Sequence, residues 1–268
     1  MRSLPAEERF PAEVGDGYLR RHSVVQGWLS DFSAQAILAL ARWQGARGIR
    51  GPVAEIGVHH GKLFLLLYLA TRQGEAAIAV DLFSKQHLNV DGSGRGDKRI
   101  FLRHVDRIAG SRDGLALIED SSFNVTPEQL AAHGKLRLFS IDGSHTEAAT
   151  LNDLQLADAT LASEGIVIVD DCFNESWPEV SGALAKYLAA GTLVPFAITP
   201  GKVLLCRGPM AAGYQDFLRE RFARRVDKEA RLYGHHVLVV GVRPWTTRRA
   251  IGTTKLGAML KRLRARLQ

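Results

Sequence analysis

Four residues late in the chain carry the densest chemistry. Asp142 and His145 lie in Asp142-Gly-Ser-His145, and Asp170-Asp171 form a pair. Each group follows a run rich in branched apolar residues, Leu136–Ile141 and Ile166–Val169, that reads as a strand. Neighbouring strands lie about 4.8 Å apart, so the three carboxylates should meet at one sheet edge. Charges packed that closely repel, so either some carboxyls hold protons or a cation sits among them. Oxygen donors of this kind suit a hard divalent ion such as Mg²⁺. Such an ion would orient a substrate hydroxyl and lower its pKa. His145, three residues beyond Asp142, titrates near neutrality and is the candidate base for that hydroxyl. The bland alternatives are capping roles for Asp170, Asp171 and His145.

A second constellation lies earlier. Glu55-Ile-Gly57-Val-His-His-Gly61 separates an apolar strand, Val53–Ile56, from an apolar helix starting near Lys62. Gly57 permits a tight turn, and Gly61 should let the helix approach a ligand. The spacing is Gly-x-x-x-Gly, whereas a dinucleotide turn wants Gly-x-Gly-x-x-Gly. An anionic pyrophosphate would not favour Glu55, but a cationic sulfonium or ammonium would tolerate it. Asp81 ends the next strand, where an acid can accept hydrogen bonds from a ribose diol. His59 and His60 are open to two readings, ordinary packing or contact with a cofactor carboxylate.

These residues resemble a known family. Glu55-x-Gly57-x-x-x-Gly61 followed by Ala-Val-Asp81 looks like the first motif and acidic loop of class I S-adenosylmethionine-dependent methyltransferases. The resemblance implies that the glycine turn wraps the methionine part of the cofactor, that Asp81 holds the ribose, and that Asp120-Ser121 lies by the adenine. Phe83 would stack on that adenine or pack in the core. Ile141-Asp-Gly-Ser-His-Thr-Glu, Asp153-Leu and Ile168-Val-Asp-Asp are similar to the metal-dependent sugar O-methyltransferases of the macrocin and mycinamicin type. That likeness, over roughly residues 50–185, implies Mg²⁺ on Asp142, Asp170 and Asp171, His145 as base, and a sugar or glycosylated small molecule as acceptor. Two other classes stay open: a metal-independent N- or O-methyltransferase, and a Rossmann-like nucleotide-binding protein without turnover.

The elements that must position these groups alternate. Helical patterns at about 31–44, 62–72, 99–108, 127–132 and 147–161 interleave with strands at about 53–56, 76–80, 115–119, 136–141 and 166–169. This predicts a Rossmann-like, doubly wound α/β fold with a mostly parallel seven-stranded sheet and an antiparallel edge strand. The last two strands are expected near 202–206 and 236–242. Residues 84–98 read as a long polar loop, a candidate lid. Trp177 is expected either as an apolar wall of the acceptor pocket or as a core anchor. Three segments are expected: an N-terminal helical cap or lid over 1–48, the cofactor-binding domain over 49–244, and a basic amphipathic tail over 245–268.

The net charge is +7. Residues 245–268 hold seven basic residues and no acid, so the tail accounts for all of that excess and nucleic acid is not an expected partner. The tail's Leu256, Met259, Leu260, Leu263 and Leu267 make an apolar stripe that suits a peripheral membrane or subunit contact, and a homo-oligomer is compatible with it. Two cysteines make no disulfide framework. The sequence shows no secretory signal and no apolar run near the ~18 residues of a membrane span, so a cytoplasmic location is expected.

Overall fold

The computed structural model describes residues 9–243, so the basic tail lies outside the described residues. The chain begins with α1 (Ala12–Leu19) and α2 (Asp31–Ala46), then β1 (Val53–Ile56), α3 (Phe64–Leu69), β2 (Ala77–Asp81), α4 (Lys98–Ala109) and β3 (Leu115–Glu119). It continues through α5 (Pro127–Ala131), β4 (Leu136–Ile141), α6 (Glu147–Thr160), β5 (Leu161–Asp170) and α7 (Pro178–Leu188). It closes with β6 (Leu193–Thr199), β7 (Lys202–Arg207), α8 (Ala211–Arg221), β8 (Val226–Leu232) and β9 (His235–Val240). The doubly wound α/β class is as expected, but among the described residues the sheet has nine strands, not seven, in the order β3-β2-β1-β4-β5-β7-β6-β9-β8.

The first five strands of that order run parallel. Then β7 pairs antiparallel with β5 and with β6, so the reversal lies inside the sheet as well as at its β8 edge. Consecutive residues of a strand feed opposite layers. Ile166 and Ile168 join the core that contains α2 and α3, while Val167 and Val169 join the core under α6 and α7. A strand buried on both faces needs no polar alternation, and all four residues of β1 are buried.

Local signals set the helix ends that frame the loops. Ser30 caps α2 by accepting from the Ser33 N–H at 3.0 Å. Asp97 caps α4 by accepting from Arg99 and Ile100, which ends the long 84–97 loop. Thr126 and Gln129 form a capping box at α5. At the amino edge of the sheet, Arg137 is 1% exposed and pairs with Glu75, Nη2 to Oε2 at 3.1 Å. Among the described residues, no helix is long and apolar enough to cross a membrane.

Candidate active site

The chain leaves β1 toward β2 and β3, and later returns to place β4 on its other side. A crevice opens at the carboxyl ends of strands where the order reverses in this way. A cavity of about 620 Å³ lies there, lined by the ends of β1, β2, β4 and β5 and by the 84–97 loop.

Gly57 makes this crevice possible. Its φ is +82°, and an added Cβ would sit 1.7 Å from the Asp142 carbonyl oxygen. Strand ends β1 and β4 can therefore meet only through a glycine. Gly61 has a different task from the one expected. An added Cβ there would meet the Phe101 ring at 2.9 Å, and Gly61 does not line the cavity. Its bare backbone serves helix packing.

Asp81 lines the cavity and ties the turn together: Oδ2 accepts from the His59 N–H at 2.7 Å and Oδ1 from the Phe83 N–H at 2.8 Å. Burial raises its pKa against those hydrogen bonds. The Val58 N–H bonds it as well, and the carboxylate's about four lone-pair sites leave room for a further donor. Asp120 and Ser121 also line the cavity, with Asp120 Oδ2 accepting from Lys85 Nζ at 2.8 Å. Besides Gly61, two expected cofactor contacts do not reach the cavity. Phe83 is 2% exposed and packs against Phe101 at 5.7 Å between ring centroids, because its apolar ring gains more in the core. Glu55 is 1% exposed beneath the turn, and burial pushes its carboxyl up to about 8. The His59 and His60 rings lie 3.9 Å apart, tilted by 33°, and of the two His59 lines the cavity.

The carboxylates at the ends of β4 and β5 do converge, and they bring a partner that sequence reasoning missed. Lys202, 2% exposed, opens β7 directly opposite Asp170 and forms an ion pair with it. The Lys202 charge also acts on Asp142 and Glu55. Burial and the adjacent Asp170 carboxylate raise Asp142 well above the usual carboxylate range. Asp170 Oδ1 accepts from the Asp171 N–H at 2.9 Å. Of the expected metal set of Asp142, Asp170 and Asp171, Asp170 already has one protein donor on each oxygen, the Lys202 ammonium and the Asp171 N–H. The group whose ligand atoms do lie within 4.8 Å of one another is Asp142, His145 and Asp171.

His145 is held from three sides. Its Nδ1 lies 3.0 Å from Asp91 Oδ2, its Nε2 lies 3.1 Å from Asp171 Oδ2, and its ring stacks on Trp177 at 4.2 Å and 15°. Its backbone N–H also donates to Asp91 at 2.6 Å. Burial opposes the imidazolium, but the bonds to Asp171 and Asp91 outweigh it and raise the pKa above 6.5. For Asp91, burial pushes upward, and hydrogen bonds from Ser93 and His145 hold the carboxyl at about 2. Asp171 completes its set with Asn174 Nδ2 at 2.8 Å, in a left-handed conformation at φ +54°. Asp91 stands in the polar loop, where no spacing to His145 could announce it.

Trp177 meets both expectations: it lines the cavity beside His145 and packs, partly buried, against the core under α6 and α7. At the mouth, Trp28 and Phe123 line the cavity while 76% and 55% exposed.

Comparison with known proteins agrees with this frame. Residues 54–172 match the family model of a methyltransferase domain. The solved structures it resembles include the O-methyltransferase NovP, at 16% identity and TM-score 0.53, over 65% of this chain and 80% of that one. They also include the SAH-bound methyltransferase PaMTH1 of Podospora anserina, at 14% identity and TM-score 0.51, over 73% of this chain and 88% of that one. A third is the calicheamicin methyltransferase CalS11, at 19% identity and TM-score 0.51, over 74% and 86%. At these identities the likeness is one of fold. A search of curated proteins returns no match.

Proposed function

We propose that this chain, an enzyme of the methyltransferase class by the domain it carries over residues 54–172, transfers the methyl group of S-adenosylmethionine to a hydroxyl of a small molecule. The observation that carries the oxygen-acceptor reading is the Asp91–His145–Asp171 arrangement at the cavity floor. A hydroxyl must lose its proton as it is methylated, and this arrangement is built to take one.

S-adenosylmethionine, when bound, supplies an electrophilic methyl group on a sulfonium. The residues that would hold it are the Gly57–His59 turn, Asp81, Asp120 and Ser121. Asp81 fits a ribose diol, since it lines the cavity and its carboxylate has acceptor capacity beyond the backbone bonds it already takes.

The chain's own residues account for the proton. With His145 neutral and its Nδ1–H given to Asp91, the acceptor hydroxyl takes the place of Asp171 Oδ2, 3.1 Å from Nε2, and gives its proton to Nε2. Asp91 then stabilises the imidazolium, and Trp177 keeps the ring plane fixed. This is the dyad logic of a base oriented by a buried acid. A positioned base of this kind contributes roughly 10²–10⁴-fold, and alignment of the hydroxyl in the cavity supplies the rest.

The acceptor class favoured is a sugar or glycosylated metabolite. Trp28, Trp177 and Phe123 offer aromatic faces around a polar floor. A structure of the same fold, CalS11, is described as a TDP-rhamnose 3'-O-methyltransferase, which supports this choice. The test is methyl transfer from labelled S-adenosylmethionine onto a panel of nucleoside-diphosphate sugars and glycosides. Label on a sugar oxygen, lost in His145→Ala, is the expected result. Label only on nitrogen acceptors, or an unimpaired His145→Ala, would overturn the reading.

A further inference from the structure

At the carboxyl edge of the sheet, four adjacent strands place one ionisable side chain each. Glu55 belongs to β1, Asp142 follows β4, Asp170 ends β5, and Lys202 begins β7. Because β7 runs antiparallel, its amino end falls at the carboxyl edge of its parallel neighbours. A lysine there enters the row of acids that the fold gathers beside the cavity. It is 2% exposed, so no bulk water solvates its ammonium, and its neighbours are Asp170, Asp142 and Glu55.

Carboxylates gathered this tightly need protons or a positive charge among them, and Lys202 brings an ammonium into direct contact with Asp170. The structure assigns that role to a residue of the chain: we propose that the Lys202 ammonium is the resident counter-cation of this site, standing where a divalent ion would otherwise be drawn, and that the chain works without added metal. Each oxygen of Asp170 and Asp171 already has one partner within the chain. Asp170 Oδ2 meets Lys202, and its Oδ1 meets the Asp171 N–H at 2.9 Å. Asp171 Oδ1 meets Asn174 at 2.8 Å and its Oδ2 meets His145 at 3.1 Å. Of the three carboxylates expected to ligate, Asp170 pairs directly with Lys202, and the same charge acts on Asp142. A divalent ion held by Asp142, His145 and Asp171 would break the His145–Asp171 bond and engage that nitrogen itself, and one on Asp170 would compete directly with Lys202. Placing a dication beside a buried ammonium adds repulsion at short range in a poorly screened site.

Lys202 does not line the cavity, so it acts as a positioning residue. It holds Asp170, and through Asp170 the backbone that carries Asp171 to His145. Metal-free turnover rests on the function proposed above, whereas the occupancy of the site by Lys202 does not.

The experiment is therefore a Mn²⁺ titration of the full chain, read by electron paramagnetic resonance, with S-adenosylhomocysteine binding measured in parallel. Wild type and Lys202→Arg should hold no stoichiometric Mn²⁺ at millimolar concentrations. Lys202→Met, which removes the charge and keeps the length, should gain a site that Asp142→Asn removes. One Mn²⁺ bound per wild-type chain and lost in Asp142→Asn would overturn the proposal, and that measurement does not depend on whether Lys202→Met folds. Where transfer is measured, dialysis against EDTA should leave its rate unchanged; a rate lost to EDTA and restored by Mg²⁺ would also overturn it. Absence of both transfer and S-adenosylhomocysteine binding would instead remove the methyltransferase reading and leave the Mn²⁺ result standing.

Discussion

At the scale of single residues, the account turns on His145 and its two acids. A base must be neutral to accept a proton, and this imidazole has its pKa raised above 6.5. Activity is therefore present above the folded pKa and is lost as pH falls through it. The profile of kcat/KM should rise with pH to a plateau, with a midpoint above 6.5. In Asp91→Asn one of the two bonds that outweigh burial is gone, so the midpoint should move down. The same variant should lower kcat by roughly 10²-fold or more with little change in KM, since it misorients a base that acts only in the transition state. An unmoved midpoint with unchanged kcat would make Asp91 a loop anchor and nothing more. Asp142, His145, Asp170 and Asp171 were all legible in the sequence because each ends or follows an apolar strand. Asp91 and Lys202 were not, because their partners are 54 and 32 residues away and no local pattern links them. Phe83 misled because a phenylalanine two residues after a binding acid suits an adenine and a core equally well.

At the scale of elements, strand ends and their turns do the positioning. Gly57→Ala would force a Cβ onto the Asp142 carbonyl at a φ of +82°. The β1 and β4 ends would have to separate, at a cost of about 3 kcal/mol or more. Chemical denaturation should report that loss, together with loss of S-adenosylhomocysteine binding; a stable, binding Gly57→Ala would contradict the packing described. At the other end of the sheet, Glu75→Ala would leave the Arg137 guanidinium buried without its acid. That should cost about 3–5 kcal/mol, visible as a lower denaturation midpoint without a change in the site's chemistry. Of the strands, β1, β3 and β4 are found where the apolar runs place them. Two were not read from the sequence. Pro195 interrupts the apolar run of β6 at a register shift. Strand β8 carries Lys228, Glu229 and Arg231 along an exposed edge, which reads as loop although it suits an edge strand.

At the scale of the whole molecule, one topological event gathers everything. The reversal between β1 and β4 opens the crevice, parallel β1, β2, β4 and β5 point their carboxyl ends into it, and antiparallel β7 delivers a cation to the same edge. The alternating helices and strands announced the first two of these features. The third depends on the direction of a strand, which hydrophobic pattern does not encode. The loop over 84–97 then closes one wall, with Asp91 reaching His145 and Gly96 passing beside Asp81. Cofactor and base are thus coupled through the same segment, and binding at Asp81 should be the condition for the rest. The most direct test is calorimetric titration of S-adenosylhomocysteine into wild type and Asp81→Ala. The account predicts one site per wild-type chain and an affinity roughly 10–100-fold weaker in Asp81→Ala, the value of hydrogen bonds to a charged acceptor. A wild-type chain that gives no binding heat at high micromolar ligand would contradict it.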